Sequence, residues 1–156
     1  MDNSSSIRNF ISLKNIAVVG VSSSGKGFGV AVFNHLKANG YSVYPVNISG
    51  GIYQEEKLYK NLAEIKNTID GVVTVVPPAE TEKVLKDVVG LGIRNVWMQQ
   101  GSESKRCIEY CKENNLDVAQ GECILMFTEP VKSIHSLHRW IWKLIGKYPK
   151  DFANKN

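Results

Sequence analysis

The sequence predicts an α/β fold: a doubly wound, mostly parallel five-stranded sheet with one helix added at the C-terminus. Three observations carry that reading. Short apolar runs alternate along the chain with stretches of helical periodicity, the order expected of parallel strands joined by crossover helices. The runs are near-continuously apolar, as in strands covered by helices on both sheet faces. The first run leads straight into a glycine-rich stretch, Gly20-Val21-Ser22-Ser23-Ser24-Gly25-Lys26-Gly27-Phe28-Gly29, where a strand-to-helix turn belongs.

Taken in order, the first strand is Ile16-Ala17-Val18-Val19, closed by Gly20. A helix follows from about Phe28, with Phe28, Ala31, Val32, His35 and Leu36 on one stripe and Gly40 as its stop. Residues 41–46 form the second strand and 71–76 the third, which Pro77-Pro78 ends because proline cannot donate to a ladder. Residues 80–89 read as a helix with Val84, Leu85, Val88 and Val89 inward and acids in its first turn. The fourth strand is 95–98. Residues 102–114 form the next helix, with Ser104, Cys107, Ile108 and Cys111 on one face, and 117–119 a short fifth strand. No repeat or linker interrupts the series. One domain is expected over 1–156, with a core at about 14–128 and the added helix over 130–146.

A chain of 156 residues buries roughly 70% of its unfolded surface, enough for one core without staples. With 43% hydrophobic and 22% charged residues, 13 Gly and 5 Pro, it is neither disordered, collagen-like nor a disulfide scaffold. Apolar runs such as 16–19 and 124–127 are too short for a bilayer, and the start MDNSSSIRNF has no secretory pattern. Three cysteines, an odd number, suit reduced thiols and a cytoplasmic setting. The net charge of +4 resides in the tail. Beyond Pro130, Lys132, Arg139, Lys143, Lys147, Lys150 and Lys155 face Asp151 alone, whereas residues 1–129 hold thirteen bases and fourteen acids. A nearly neutral domain offers nucleic acid no basic face, so nucleic acid is not an expected partner.

Ligands of such sheets bind at the carboxyl ends of the strands, where strand order reverses. The loops after Val19, Val46, Val76 and Met98 are therefore the places for function. In the first, glycines permit close backbone approach, the following helix directs free N–H groups at the same point, and Lys26 adds a positive charge. Three ligands suit such a loop. Gly20, Gly25 and Lys26 nearly spell a Walker A loop, but Gly27 stands where Ser or Thr must hold Mg²⁺, and no strand ends in the partner Asp. Gly25-Lys26-Gly27-Phe28 resembles a loosened dinucleotide fingerprint, but the second strand ends Tyr44-Pro45-Val46-Asn47 with no acid for the ribose diol until Glu55. A small NAD(P)-dependent oxidoreductase remains the alternative. Coenzyme A fits these omissions, because its 3′-phosphate would be repelled by a carboxylate at position 47, whereas Asn47 can donate a hydrogen bond. These residues permit CoA without selecting it.

Several segments carry a resemblance. Ala17-Val18-Val19-Gly20-Val21-Ser22, Leu36-Lys37 with Gly40-Tyr41, and Tyr44-Pro45-Val46-Asn47 are similar to the small stand-alone CoA-binding domain proteins. Val75-Val76-Pro77-Pro78, Val96-Trp97-Met98-Gln99-Gln100-Gly101 and Glu122-Cys123-Ile124-Leu125-Met126-Phe127 agree with them in order, over about residues 14–149. The segment 96–101 also resembles the CoA-binding domain of the succinyl-CoA synthetase alpha subunit. The resemblance implies a Rossmann-like sheet that binds CoA or an acyl-CoA, with no catalysis evident. It puts Gly20 and Ser22 at the diphosphate, Val21, Lys26, Gly27 and Phe28 beside them, and Asn47 at the adenosine end. Pro77 and Pro78 would line the ligand wall, with Gln99, Gln100 and Gly101 beyond. The loop departs from a common family form rich in Pro and Arg, reading Ser-Ser-Ser-Gly-Lys-Gly here. Gly20→Val is expected to block the diphosphate and leave the fold largely intact.

Cys107 and Cys111, four apart on a helix face with Ile108, read as core thiols rather than metal ligands. Cys123 falls in a family-like segment, and a thiol there could form a mixed disulfide with CoA, against the plainer reading of a small buried hydrophobe. His135 and His138 lie one turn apart in the C-terminal helix, without a second ligand pair at fixed spacing, so no metal is assigned. Trp140 and Trp142 cannot both share the face of Ile141. One ring is therefore left for solvent or a partner, and a homodimer through this helix is the expectation.

Overall fold

The structure is a computed structural model, and it describes residues 2–128. The C-terminal helix expected over 130–146, with His135, His138, Trp140 and Trp142, lies outside the described residues. The described chain runs α1 (Asn3–Ile11), β1 (Asn15–Val19), α2 (Phe28–Ala38), β2 (Ser42–Val46), β3 (Ile52–Tyr53), β4 (Glu56–Lys57), a 3-10 turn (Leu62–Ile65), β5 (Gly71–Thr74), α3 (Pro78–Gly90), β6 (Asn95–Gln99), α4 (Lys105–Glu113), β7 (Asp117–Glu122) and a second 3-10 turn (Ile124–Met126). No helix among the described residues is long and apolar enough to cross a membrane.

Five strands form one sheet in the order β2-β1-β5-β6-β7, and every neighbouring pair is parallel. The sheet is thus a Rossmann-like one, parallel throughout rather than mostly so. Alternate strand residues feed two cores. Ile16, Val18, Val73, Trp97 and Ala119 pack beneath α1, α2 and the turn at 124–126. Ala17, Val19, Val72, Val96 and Met98 pack beneath α3, α4 and the turn at 62–65. Trp97 anchors the first core: its ring meets Phe10 edge-on at 5.7 Å and Phe127 at 5.8 Å, and its indole N–H donates to the Glu122 carbonyl.

Three features depart from the sequence reading. The chain begins with α1, which lays Ile7 and Phe10 on β6 and β7. An antiparallel hairpin, β3–β4, stands between β2 and β5. The buried stripe of α2 is Gly29, Val30, Val32, Phe33 and Leu36, so Ala31 is exposed and Phe28 is 42% exposed. The cause of that last shift lies at Gly29. A Cβ there would stand 2.1 Å from the Gly20 carbonyl oxygen, so this face of the helix sits against the loop and sets the phase of the whole stripe.

Candidate functional site

After β1 the chain crosses one face through α2 to β2, and after β2 it returns to the other flank of β1 as β5. The loops leaving β1 and β5 therefore diverge, which opens a crevice at their carboxyl ends. The glycine loop occupies it. The N–H groups of Gly20 and Val21 both donate to the Val46 carbonyl, at 3.0 and 3.3 Å, tying the loop to the end of β2. Gly20 has φ +110°, and a Cβ on it would stand 2.4 Å from the Val75 carbonyl oxygen. That corrects the expectation for Gly20→Val. Its added side chain would meet the backbone after β5, so the fold itself is disturbed and ligand exclusion cannot be read from this variant.

Further along, the Ser22 hydroxyl pairs with that of Ser24 at 2.7 Å, and Ser22 O accepts the Gly25 N–H. Gly27 is the N-cap of α2 and gives it no side-chain cap, and the first helical turn holds no acid. The orphan N–H groups of that turn are left for an anion. Lys26 is exposed on the same loop with no ion-pair partner among the described residues. Asn47 is the loop's other anchor. Its side-chain amide donates to Val21 O at 2.8 Å, and its Oδ1 accepts the Ser49 N–H at 2.9 Å. The hairpin braces the loop from outside. The Tyr53 ring lies 3.2 Å from where a Gly25 Cβ would stand, and its hydroxyl accepts from Asn34 on α2.

Two hollows meet here. One, of about 280 Å³, lies between the ends of β1 and β2 and helix α3, lined by Gly20, Val46, Asn47, Ile48, Leu62, Val76 and Val84 with Lys60, Glu80, Lys83 and Asp87. The other, of about 370 Å³, runs past Phe28, Val75, Pro77, Pro78, Gln99, Gln100 and Gly101. Val76 borders both, and Gly20 packs against it, so together they make one trough along the carboxyl edge of the sheet.

Of the residues expected from sequence, Gly20, Asn47, Phe28, Pro77, Pro78, Gln99, Gln100 and Gly101 line this trough, and Ser22, Lys26 and Gly27 stand on the loop above it. Val21 and Cys123 do not line it. The Val21 side chain is fully buried in the α2-side core, and Cys123 is buried behind the end of β6. There Gln99 Oε1 accepts the Ile124 N–H at 3.1 Å and the amide also bonds the Cys123 thiol. Burial pushes that thiol above its ordinary value, so it is held protonated at neutral pH. Sequence reasoning missed Ile48, Lys60, Lys83 and Val84. The two lysines carry no motif, and Ile48 is a large apolar side chain left 85% exposed at the lip.

An all-parallel sheet with an uncapped helix at its switch point and a trough across the strand ends defines a Rossmann-like α/β domain. Comparison with known proteins narrows the class. A family described as the CoA binding domain matches residues 14–129, and the chain belongs to that family. It is 34% identical over 104 residues to the alpha subunit of ADP-forming acetate–CoA ligase II of Pyrococcus furiosus, covering 62% of this chain and 23% of the subunit. It is 35% identical over 89 residues to the alpha subunit of ligase I of that organism, covering 53% and 19%. The chain therefore spans about a fifth of the length of these curated relatives. Among solved structures it is similar to a conserved hypothetical protein of P. furiosus, with 30% identity and TM-score 0.68 over 71% of this chain and 96% of that one. A hypothetical protein from Pyrococcus horikoshii is also similar, at 25% identity and TM-score 0.73, covering 81% and 89%.

Proposed function

We propose that this protein binds coenzyme A or an acyl-CoA along the trough, with the diphosphate over the glycine loop and the amides of the first turn of α2. The nucleoside then occupies the hollow beside Ile48, Leu62 and Val84, and the pantetheine arm follows Pro77, Pro78 and residues 99–101. The observation that carries this reading is the trough itself, which passes from an apolar hollow, across an anion-ready loop, into a second open groove. A dinucleotide is disfavoured by the end of β2, where Asn47 turns its amide inward and no carboxylate replaces it for a ribose diol. The curated relatives are named for joining acetate to CoA, which agrees with the ligand. Binding without catalysis is the role proposed for this chain, in a cytoplasmic setting.

Thermal unfolding with added ligand tests the reading. A ligand at 100 times its dissociation constant adds about 2.7 kcal/mol to a state it binds alone. CoA should raise the melting temperature and NAD should not; equal shifts, or a shift from NAD alone, would overturn the assignment. Lys26→Ala should weaken CoA by roughly three- to tenfold at low salt, with the loss shrinking as salt is added.

A further inference from the structure

We propose that Lys60 reads the phosphate on the ribose and makes this cleft prefer the 3′-phosphorylated nucleotide over its dephospho form, an inference that rests on the CoA reading above. At the end of β2 the side chain of Asn47 is held by Val21 O and the Ser49 N–H and carries no charge, so the charge that meets the ribose comes from elsewhere. The returning chain supplies it. Tyr59 N–H donates to Pro45 O at 2.9 Å and Asn47 N–H to Tyr59 O at 2.8 Å, which fixes the next residue, Lys60, at the lip of the hollow. Its stem lies across Gly50, where a Cβ would come within 2.9 Å of Lys60 Cε and 3.2 Å of Cγ.

Nearby lysines are already matched. Lys37 pairs with Glu56, Lys57 with Glu64 at 2.7 Å, and Lys83 with Glu80 at 2.8 Å. Glu64 also accepts the Lys60 backbone N–H, but the Lys60 ammonium has no carboxylate partner among the described residues. Asp87, the remaining acid of the hollow, lies about two turns along α3 from Glu80. A compact ammonium on a packed stem, where a diol-binding site needs a carboxylate, matches a phosphate monoester.

Calorimetric titration of CoA and of 3′-dephospho-CoA at low salt, on wild type, Lys60→Ala and Lys60→Arg, decides the matter. Wild type should bind CoA roughly three- to tenfold more tightly than 3′-dephospho-CoA, as expected for one partly exposed charge pair. Lys60→Ala should lose that preference by weakening CoA alone, and Lys60→Arg should retain it. CoA binding with no preference in wild type, a preference that survives in Lys60→Ala, or equal weakening of both ligands overturns the role of Lys60 and leaves the CoA reading standing. Failure of wild type to bind either ligand overturns both.

Discussion

Cys111 and Cys123 show what burial does to a side chain whose chemistry the sequence leaves open. Both are enclosed, and burial together with neighbouring Cys107 pushes the Cys111 thiol from 9.0 up to about 12. The unfolded chain releases that proton near the ordinary thiol value, so between the two values the unfolded state binds fewer protons and folding stability falls as pH rises. Denaturant melts should therefore show an alkaline loss of stability beginning near pH 9, and Cys111→Ala should reduce it, leaving the part that the raised Cys123 thiol contributes. Below that range the variant should cost roughly 1 kcal/mol through lost packing alone. The spacing of Cys107 and Cys111 made their core role legible, since residues four apart share a helix face. The burial of Cys123 was legible too, as the plainer of its two readings, but its neighbour Gln99 was not, because that residue comes from another part of the chain.

Elements with a buried stripe declared themselves, and elements set by turns did not. Each of β1, β5 and β6 is a run enclosed on both faces, and their limits agree with the sequence to within two residues. Helix α1 was missed because its Ser- and Asn-rich start reads as polar, and its signal is only Ile7, Phe10 and Ile11 at helical spacing. The hairpin was missed for a sharper reason. Its turn residues Gln54 and Glu55 hold φ of +48° and +68°, a conformation in which Asn-Gly is the usual pair. Holding two ordinary side chains there costs about 1–2 kcal/mol each. Gln54→Asn combined with Glu55→Gly should therefore stabilise the protein by roughly 1 kcal/mol, measured by denaturant melts. Because Tyr53 of this hairpin leans on Gly25, the double variant should also leave CoA affinity equal to or above that of wild type.

Across the whole molecule, chain order located the trough correctly because a switch point follows from strand order alone. Its far wall, from Ile48 and Lys60 to Val84, was beyond reach: those residues meet only when the β2-to-β5 connection folds back on β2. Assembly follows a separate line. We propose, from the sequence alone, a homodimer through residues 130–146; polar replacement of Trp140 and Trp142 together should then lower the mass seen in light scattering while CoA binding survives. Within the described residues the sheet treats its two borders differently. On the β2 side, Tyr59 adds a bridge at Val46. On the β7 side, one amide stands in for a neighbour: Asn3 Nδ2 donates to Gln120 O and Asn3 Oδ1 accepts the Gln120 N–H, both at 3.1 Å. That side chain supplies the donor and the acceptor a sixth strand would have brought. It is an end-stop. A molecule stripped of residues 2–12 would lose that partner at Gln120, so it should self-associate more readily in light scattering, through the border of the sheet opposite β2.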